Sequence, residues 1–407
     1  MSEYEDYRRR DFAKTEPEIL QELIKKASEE SRNYSEFMRR IKEAGLKIAD
    51  FLYRIGFIEK IEIPYSVDRV LARKHYVGID GSFYVTGGRG KRYYIMMTAV
   101  IIELPKGIDT RPEELVKRYP GIEIRVYDDV SGGKEVFEVA EDLMMWLETN
   151  AIEKKVEEYD GSEQYVFIDG PVIDPPRLPS KYVSQVKVDG LGYIDYRAKV
   201  FRRAYEKGLE IYGYVKSART DNLLKKQVMD LAKQHLNDKE YREIEEALNV
   251  FASDQELAFA VLFTILSLLK RKYSDRYVVY ITKPTQIHGD VLEENEVYRE
   301  YYERGLTVYY TYAISRYMDK VYRLEVMLPQ GADPREALER LIRGVKLASS
   351  ITLPGQKHPL PIILAHEKCK IRRGAAEIIY EEILARVAEP SGDEMLDQLK
   401  YMLIREE

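Results

Sequence analysis

The chain has 407 residues, 45% of them hydrophobic and 33% charged, with a formal net charge of -6. This fits a globular fold with an ion-rich surface. It argues against a protein that coats nucleic acid uniformly, although 64 Lys and Arg leave room for a basic groove. The single cysteine, Cys369, excludes an internal disulfide framework and a Cys-rich zinc site, and fits a reducing cytoplasm.

No apolar run reaches the roughly 18 residues that a membrane helix needs. The charged start, MSEYEDYRRRDF, lacks the apolar stretch of a secretory signal. Abundant Lys, Arg, Glu and Tyr with little Asn, Gln or Cys lean towards a hyperthermophile.

Residues 15–60 read as helix, with Thr15 as a candidate N-cap and Pro17 and Glu18 in the first turn. Residues 76–104 switch to period two: YVGIDGSFYV and KRYYIMMTAVIIEL flank the turn TGGRG, which predicts a hairpin. IEIRVYD (122–128) predicts a third strand, KEVFEVAEDLMMWLETNAIEKKVEEY (134–159) an amphipathic helix, QYVFIDGP (164–171) a fourth strand and LEIYGYVKSA (209–218) a fifth. Residues 220–275 read as mostly helical. Strands follow at 276–282, 306–314 and 321–328, then a helix at 334–349 with Asp333 as N-cap and Pro334 as its first residue. HPLPIILAH (358–366) reads as a last strand before a C-terminal helix.

The expected division is a helical region at 1–70, an α/β domain at 71–380 with a helical insertion near 220–275, and a helical tail at 381–407. Three antiparallel strands, a helix and a fourth strand predict a ribonuclease H-like α/β fold, a mixed sheet flanked by helices. In it the first and fourth strands lie side by side, so Asp80 and Asp169 converge.

Each Asp-Gly alone reads as a strand-ending turn. Together, in this strand order, they read as a metal site. Neighbouring carboxylates repel unless a cation meets them, and Mg²⁺ or Mn²⁺ accepts all-oxygen ligands. Two such ions about 4 Å apart stabilise the attacking and leaving oxygens of phosphodiester hydrolysis.

The helix at 134–159 offers Glu138, Glu141 and Glu148 as a further ligand; Glu141 is preferred because it flanks the buried stripe. His366 ends the expected last strand, where a ligand or an acid/base is needed, and His358 lies eight residues earlier on the same expected face. Lys216 and Arg219 follow a strand and read equally as phosphate contacts or as surface cations. GGRGKR lacks the spacing of a phosphate loop.

The ordered set GIDGSF, FIDGP, YVKSART (214–220), VYRLEV (321–326) and HPLPIILAH resembles the archaeal NurA nucleases over about residues 70–375. That resemblance implies a Mn²⁺-dependent nuclease, with Mg²⁺ as the other candidate ion, that cuts single-stranded DNA internally and degrades DNA 5′ to 3′. It implies a ring-like homodimer working with a HerA-type hexameric ATPase and other double-strand break repair proteins in DNA end resection. By position it assigns metal-site roles to Asp80, Asp169, Glu141 and His366, with His358 where the family can have a tyrosine. The spacing from Glu141 to Asp169 is longer than the family leads one to expect. The competing expectations are a non-catalytic DNA clamp that recruits an ATPase and a ribonuclease H-like nuclease acting on RNA-containing substrates.

Overall fold

The structure is a computed structural model that describes residues 16–63, 74–88, 91–104, 116–128, 134–173, 192–216, 222–268, 278–314, 320–353, 356–393 and 395–398. Helix α1 (Pro17–Arg54) leads to a short strand β1 (Ile58–Glu62). The hairpin β2 (His75–Gly87) and β3 (Arg92–Leu104) is followed by β4 (Val116–Asp128), helix α2 (Lys134–Glu157) and β5 (Gln164–Ile168). Helix α3 (Tyr193–Lys207) and β6 (Glu210–Val215) lead into α4 (Leu223–His235), α5 (Asp238–Leu248) and α6 (Asp254–Leu268). Strands β7 (Val278–Thr282) and β8 (Thr285–Gln286), helices α7 (Asp290–Glu294) and α8 (Glu296–Glu303), and strands β9 (Leu306–Ile314) and β10 (Val321–Pro329) come next. The chain closes on α9 (Pro334–Ser350), α10 (Leu360–Cys369) and α11 (Arg373–Val387).

One mixed sheet runs β1-β7-β9-β10-β6-β5-β2-β3-β4, with β8 paired to β9. Its centre is apolar on both sides, as a sheet covered by helices on both faces requires. On one face the core takes in Val136, Val139 and Leu143 of α2, Val200 and Phe201 of α3, and Leu257 and Leu262 of α6. On the other it takes in Leu341 and Val345 of α9 and Ile362 of α10. The expected order of three antiparallel strands, helix and parallel fourth strand is present: β2 pairs antiparallel with β3, β3 with β4, and β2 parallel with β5. The fold is ribonuclease H-like. Asp333 caps α9 as expected, accepting the Arg335 N–H at 2.9 Å.

Three readings are corrected. Residues 58–62, within the stretch expected to be helical, form β1, which pairs with β7 and ties the N-terminal segment to the sheet. The hairpin expected at 76–104 is present, and with it the reading of Asp80-Gly81 as a strand-ending turn falls: β2 continues through it to Gly87, paired with β3 throughout. HPLPIILAH is not a strand: Pro359 is the N-cap residue of α10 and Pro361 lies in its first turn, where a missing N–H costs nothing. His358 and His366 therefore do not share a strand face. Thr15 lies outside the described residues. Among the described residues no helix is long and apolar enough to cross a membrane.

Candidate active site

The site forms where β5 ends and β2 goes on. The parallel register brings Ile79 opposite Ile168, and the Asp169 N–H donates to Ile79 O at 3.0 Å, so Asp80 and Asp169 are the next residues on adjacent strands. Alternation along β2 sends Asp80 to the face covered by α10. There its neighbours across the hairpin, Val100 and Ile102, pack with Ala365 and Cys369. Asp80 is only 5% exposed.

Helix α10 supplies His366 from its last turn, and its side chain is 46% exposed. Its Nδ1 stands 2.9 Å from Asp80 Oδ2 and 3.4 Å from Asp169 Oδ2. One turn on, the Cys369 thiol donates to Asp80 Oδ2 at 3.4 Å. Just after β6, Lys216 pairs through Nζ with Asp169 Oδ2.

The opposite face contributes Glu148, two-thirds of the way along α2. Its Oε1 accepts the Gly81 N–H at 2.8 Å, and Asp80 Oδ1 shares the same N–H at 2.9 Å. Only glycine allows this. A Cβ at position 81 would lie 2.9 Å from Glu148 Cγ and Oε1 and 2.9 Å from Met144 Cγ. The glycine of VGIDGS thus makes room for the third carboxylate instead of turning the chain.

Three carboxylates on one spot set the electrostatics. Burial first, then the charges of Asp169 and Glu148, push the Asp80 carboxyl from its ordinary 3.8 up to about 9. Burial and, next, the Lys216 charge lower the His366 imidazole, keeping it neutral at physiological pH. Burial and the Asp80 charge raise the Cys369 thiol, so it sits as a neutral donor.

The structure thus brings Asp80, Asp169 and His366 together, as the sequence led one to expect, sets Glu148, one of the three candidate helix glutamates, beside them, and adds the pairing of Lys216 with Asp169 and the thiol of Cys369. It does not bring Glu141 to Asp80: Glu141 lies two helical turns before Glu148, about 10 Å along the axis. His358 precedes α10 and packs edge-on against Tyr214 with ring centroids 5.7 Å apart, away from His366 at the other end of the helix. Arg219 lies outside the described residues. Cys369 carried no motif signal; only its place three residues after His366, one turn of the same helix, could have pointed to it.

The NurA domain family model matches residues 74–371, which include every one of these site residues. The chain belongs to the NurA family. No curated protein matches it. The NurA nuclease from Sulfolobus solfataricus is similar at 12% identity and a TM-score of 0.52, over 92% of this chain and 98% of that one. That likeness shows the shared fold. A NurA structure with manganese aligns at 12% identity and a TM-score of 0.38, over 82% of this chain and 92% of that one. Ciona intestinalis endonuclease V in complex with DNA aligns at 13% and 0.28, over 86% and 99%.

Proposed function

We propose that this NurA family member is a divalent-metal-dependent nuclease that hydrolyses DNA phosphodiester bonds at the Asp80–Asp169 site. The observation that carries the reading is that Asp80 and Asp169 meet at one imidazole, His366, where β5 ends, with Glu148 sharing the Gly81 N–H with Asp80. The donor set fits a hard cation. Its oxygens belong to carboxylates that repel one another until a positive charge joins them, as the raised Asp80 carboxyl registers. A carboxylate-rich set is that of Mg²⁺ or Mn²⁺; the family resemblance favours Mn²⁺.

Asp80 and Asp169 would hold the ion, with Glu148 and His366 completing its surroundings, and a second ion would share the two aspartates. A bound cation supplies an activated water and charge neutralisation at the phosphorus. The rest falls to the chain. Neutral His366, half-exposed beside both aspartates, can ligate or take a proton. Lys216 offers a cation to a phosphate oxygen once Asp169 is engaged elsewhere. Gly81 holds Glu148 and Asp80 through one shared N–H and fixes their spacing.

Family membership extends the reading. The chain acts as a ring-like homodimer on single-stranded DNA and on double-stranded ends, degrading 5′ to 3′, beside a HerA-type hexameric ATPase in end resection for double-strand break repair in the cytoplasm. Incubation with 5′- and 3′-labelled DNA in Mn²⁺, Mg²⁺ or EDTA tests it, with and without such an ATPase and ATP. Products that appear with Mn²⁺ and vanish in EDTA support it. Intact DNA in every lane, ATPase included, rules it out.

A further inference from the structure

Buried Arg197 is not needed by the chemistry above, yet its guanidinium touches both acidic elements of the site. It stands in α3 and is 1% exposed. Its Nε donates to Val172 O at 3.0 Å and its Nη2 to Pro171 O at 3.4 Å, both in the loop that follows Asp169. Its Nη1 donates to Thr149 Oγ1 at 2.7 Å, and Thr149 is the residue after Glu148. One rigid fork therefore spans the Asp169 loop and the Glu148 turn of α2.

The loop is pinned from its other side as well. The Val172 N–H donates to Glu325 Oε2 at 2.9 Å, and Glu325 is held by Arg323 Nε at 2.7 Å on the same strand. Beneath it lies Gly213 of β6, where a Cβ would come within 2.7 Å of Val172 N and 3.0 Å of Gly170 O. Burying a guanidinium is costly unless its donors are satisfied. Apolar residues of like volume often stabilise a fold as well or better. Fold stability alone therefore does not call for an arginine here, whereas fixing the spacing of two carboxylate-bearing segments does.

We propose that Arg197 is a positioning residue that sets the distance between Asp169 and Glu148 and so tunes divalent-cation affinity. This rests on the metal-site reading above. The planar fork reaches two carbonyls and a hydroxyl at once, which a lysine ammonium cannot reproduce at the same three points.

The test compares native chain, Thr149→Val, Arg197→Lys and Arg197→Met by calorimetric titration with Mn²⁺, at a temperature where circular dichroism shows each folded. Thr149→Val is near-isosteric and removes one of the Arg197 anchors together with the Thr149 hydroxyl's own bond to Met145 O at 2.9 Å, and it remains informative where an Arg197 variant fails to fold. The expected result is a dissociation constant raised about 10-fold in Thr149→Val and up to about 100-fold in Arg197→Met. Arg197→Lys should fall between them, with the KM for DNA unchanged. Folded Thr149→Val and Arg197→Lys that bind Mn²⁺ like the native chain, and differ only in melting temperature, would overturn the inference and leave the nuclease reading standing. A native chain that neither binds Mn²⁺ nor cuts DNA overturns both.

Discussion

His366 Nδ1 lies 2.9 Å from Asp80 Oδ2, although 286 residues separate the two in sequence. The same nitrogen is 3.4 Å from Asp169 Oδ2, so one imidazole serves both aspartates. A metal-bound or proton-accepting imidazole must be neutral. Because burial and Lys216 lower its pKa, the neutral form persists below the ordinary value of 6.5. Cleavage by the native chain should therefore hold through pH 6.5 and fall only at more acid pH. His366→Ala should lose both rate and this acid limb. A pH–rate profile that begins to drop well above 6.5, or that is unchanged in His366→Ala, would contradict the assigned role.

The Asp80 carboxyl, raised to about 9, makes metal-free stability pH-dependent. The neutral form is favoured in the fold, so its contribution is full below the ordinary 3.8 and is lost as pH rises through about 9. Without metal, the melting temperature of the native chain minus that of Asp80→Asn should decrease steadily across this window. Added Mn²⁺ should restore it, and by more at pH 8 than at pH 5. Thermal melts in EDTA and in Mn²⁺ at several pH values check both signs.

Glu148, not Glu141, is the helix carboxylate at the site. Glu148→Gln keeps an acceptor for the Gly81 N–H and removes only the charge. It should lower metal-dependent cleavage on the order of 100-fold, in the range of losses seen when metal-site partners are removed. Glu141→Gln should stay near native. Matched rate measurements on the two folded variants at saturating Mn²⁺ decide between them.

Gly81→Ala should hurt the site more than the fold. The added methyl meets Glu148 Cγ and Oε1 and Met144 Cγ, all at 2.9 Å. These are side chains that can swing, so we expect a stability loss of about 1–3 kcal/mol by urea unfolding. The Mn²⁺ affinity should fall by about 10-fold or more, because Glu148 must leave its place.

Asp80 and Asp169 were legible because apolar strands that run into Asp-Gly, in this strand order, allow few topologies. The helix glutamate is not legible in the sequence for a physical reason: Glu141 and Glu148 are seven residues apart and share a helix flank, so periodicity cannot separate them. Which turn is level with Asp80 is set by the packing of Met144 and Glu148 against Gly81, a tertiary fact. HPLPIILAH reads as a strand because a short apolar run fits a strand or a buried helix equally; its prolines, at the N-cap and in the first turn of α10, are the signal to weigh. Strand β1 was hidden because its apolar residues, Ile58 and Ile61, are three apart, a spacing that continues the preceding helix as readily as it makes a strand. The Arg197 contacts left no trace in sequence, since they reach acceptors on a loop and on a neighbouring helix.

The most direct measurement is a calorimetric titration of Mn²⁺ into the native chain and into folded Asp80→Asn, followed by incubation of the same samples with end-labelled single-stranded DNA. The expected result is saturable binding and cleavage in the native chain, with both lost in Asp80→Asn. Equal binding and equal cleavage in the two would contradict a metal centre built on Asp80.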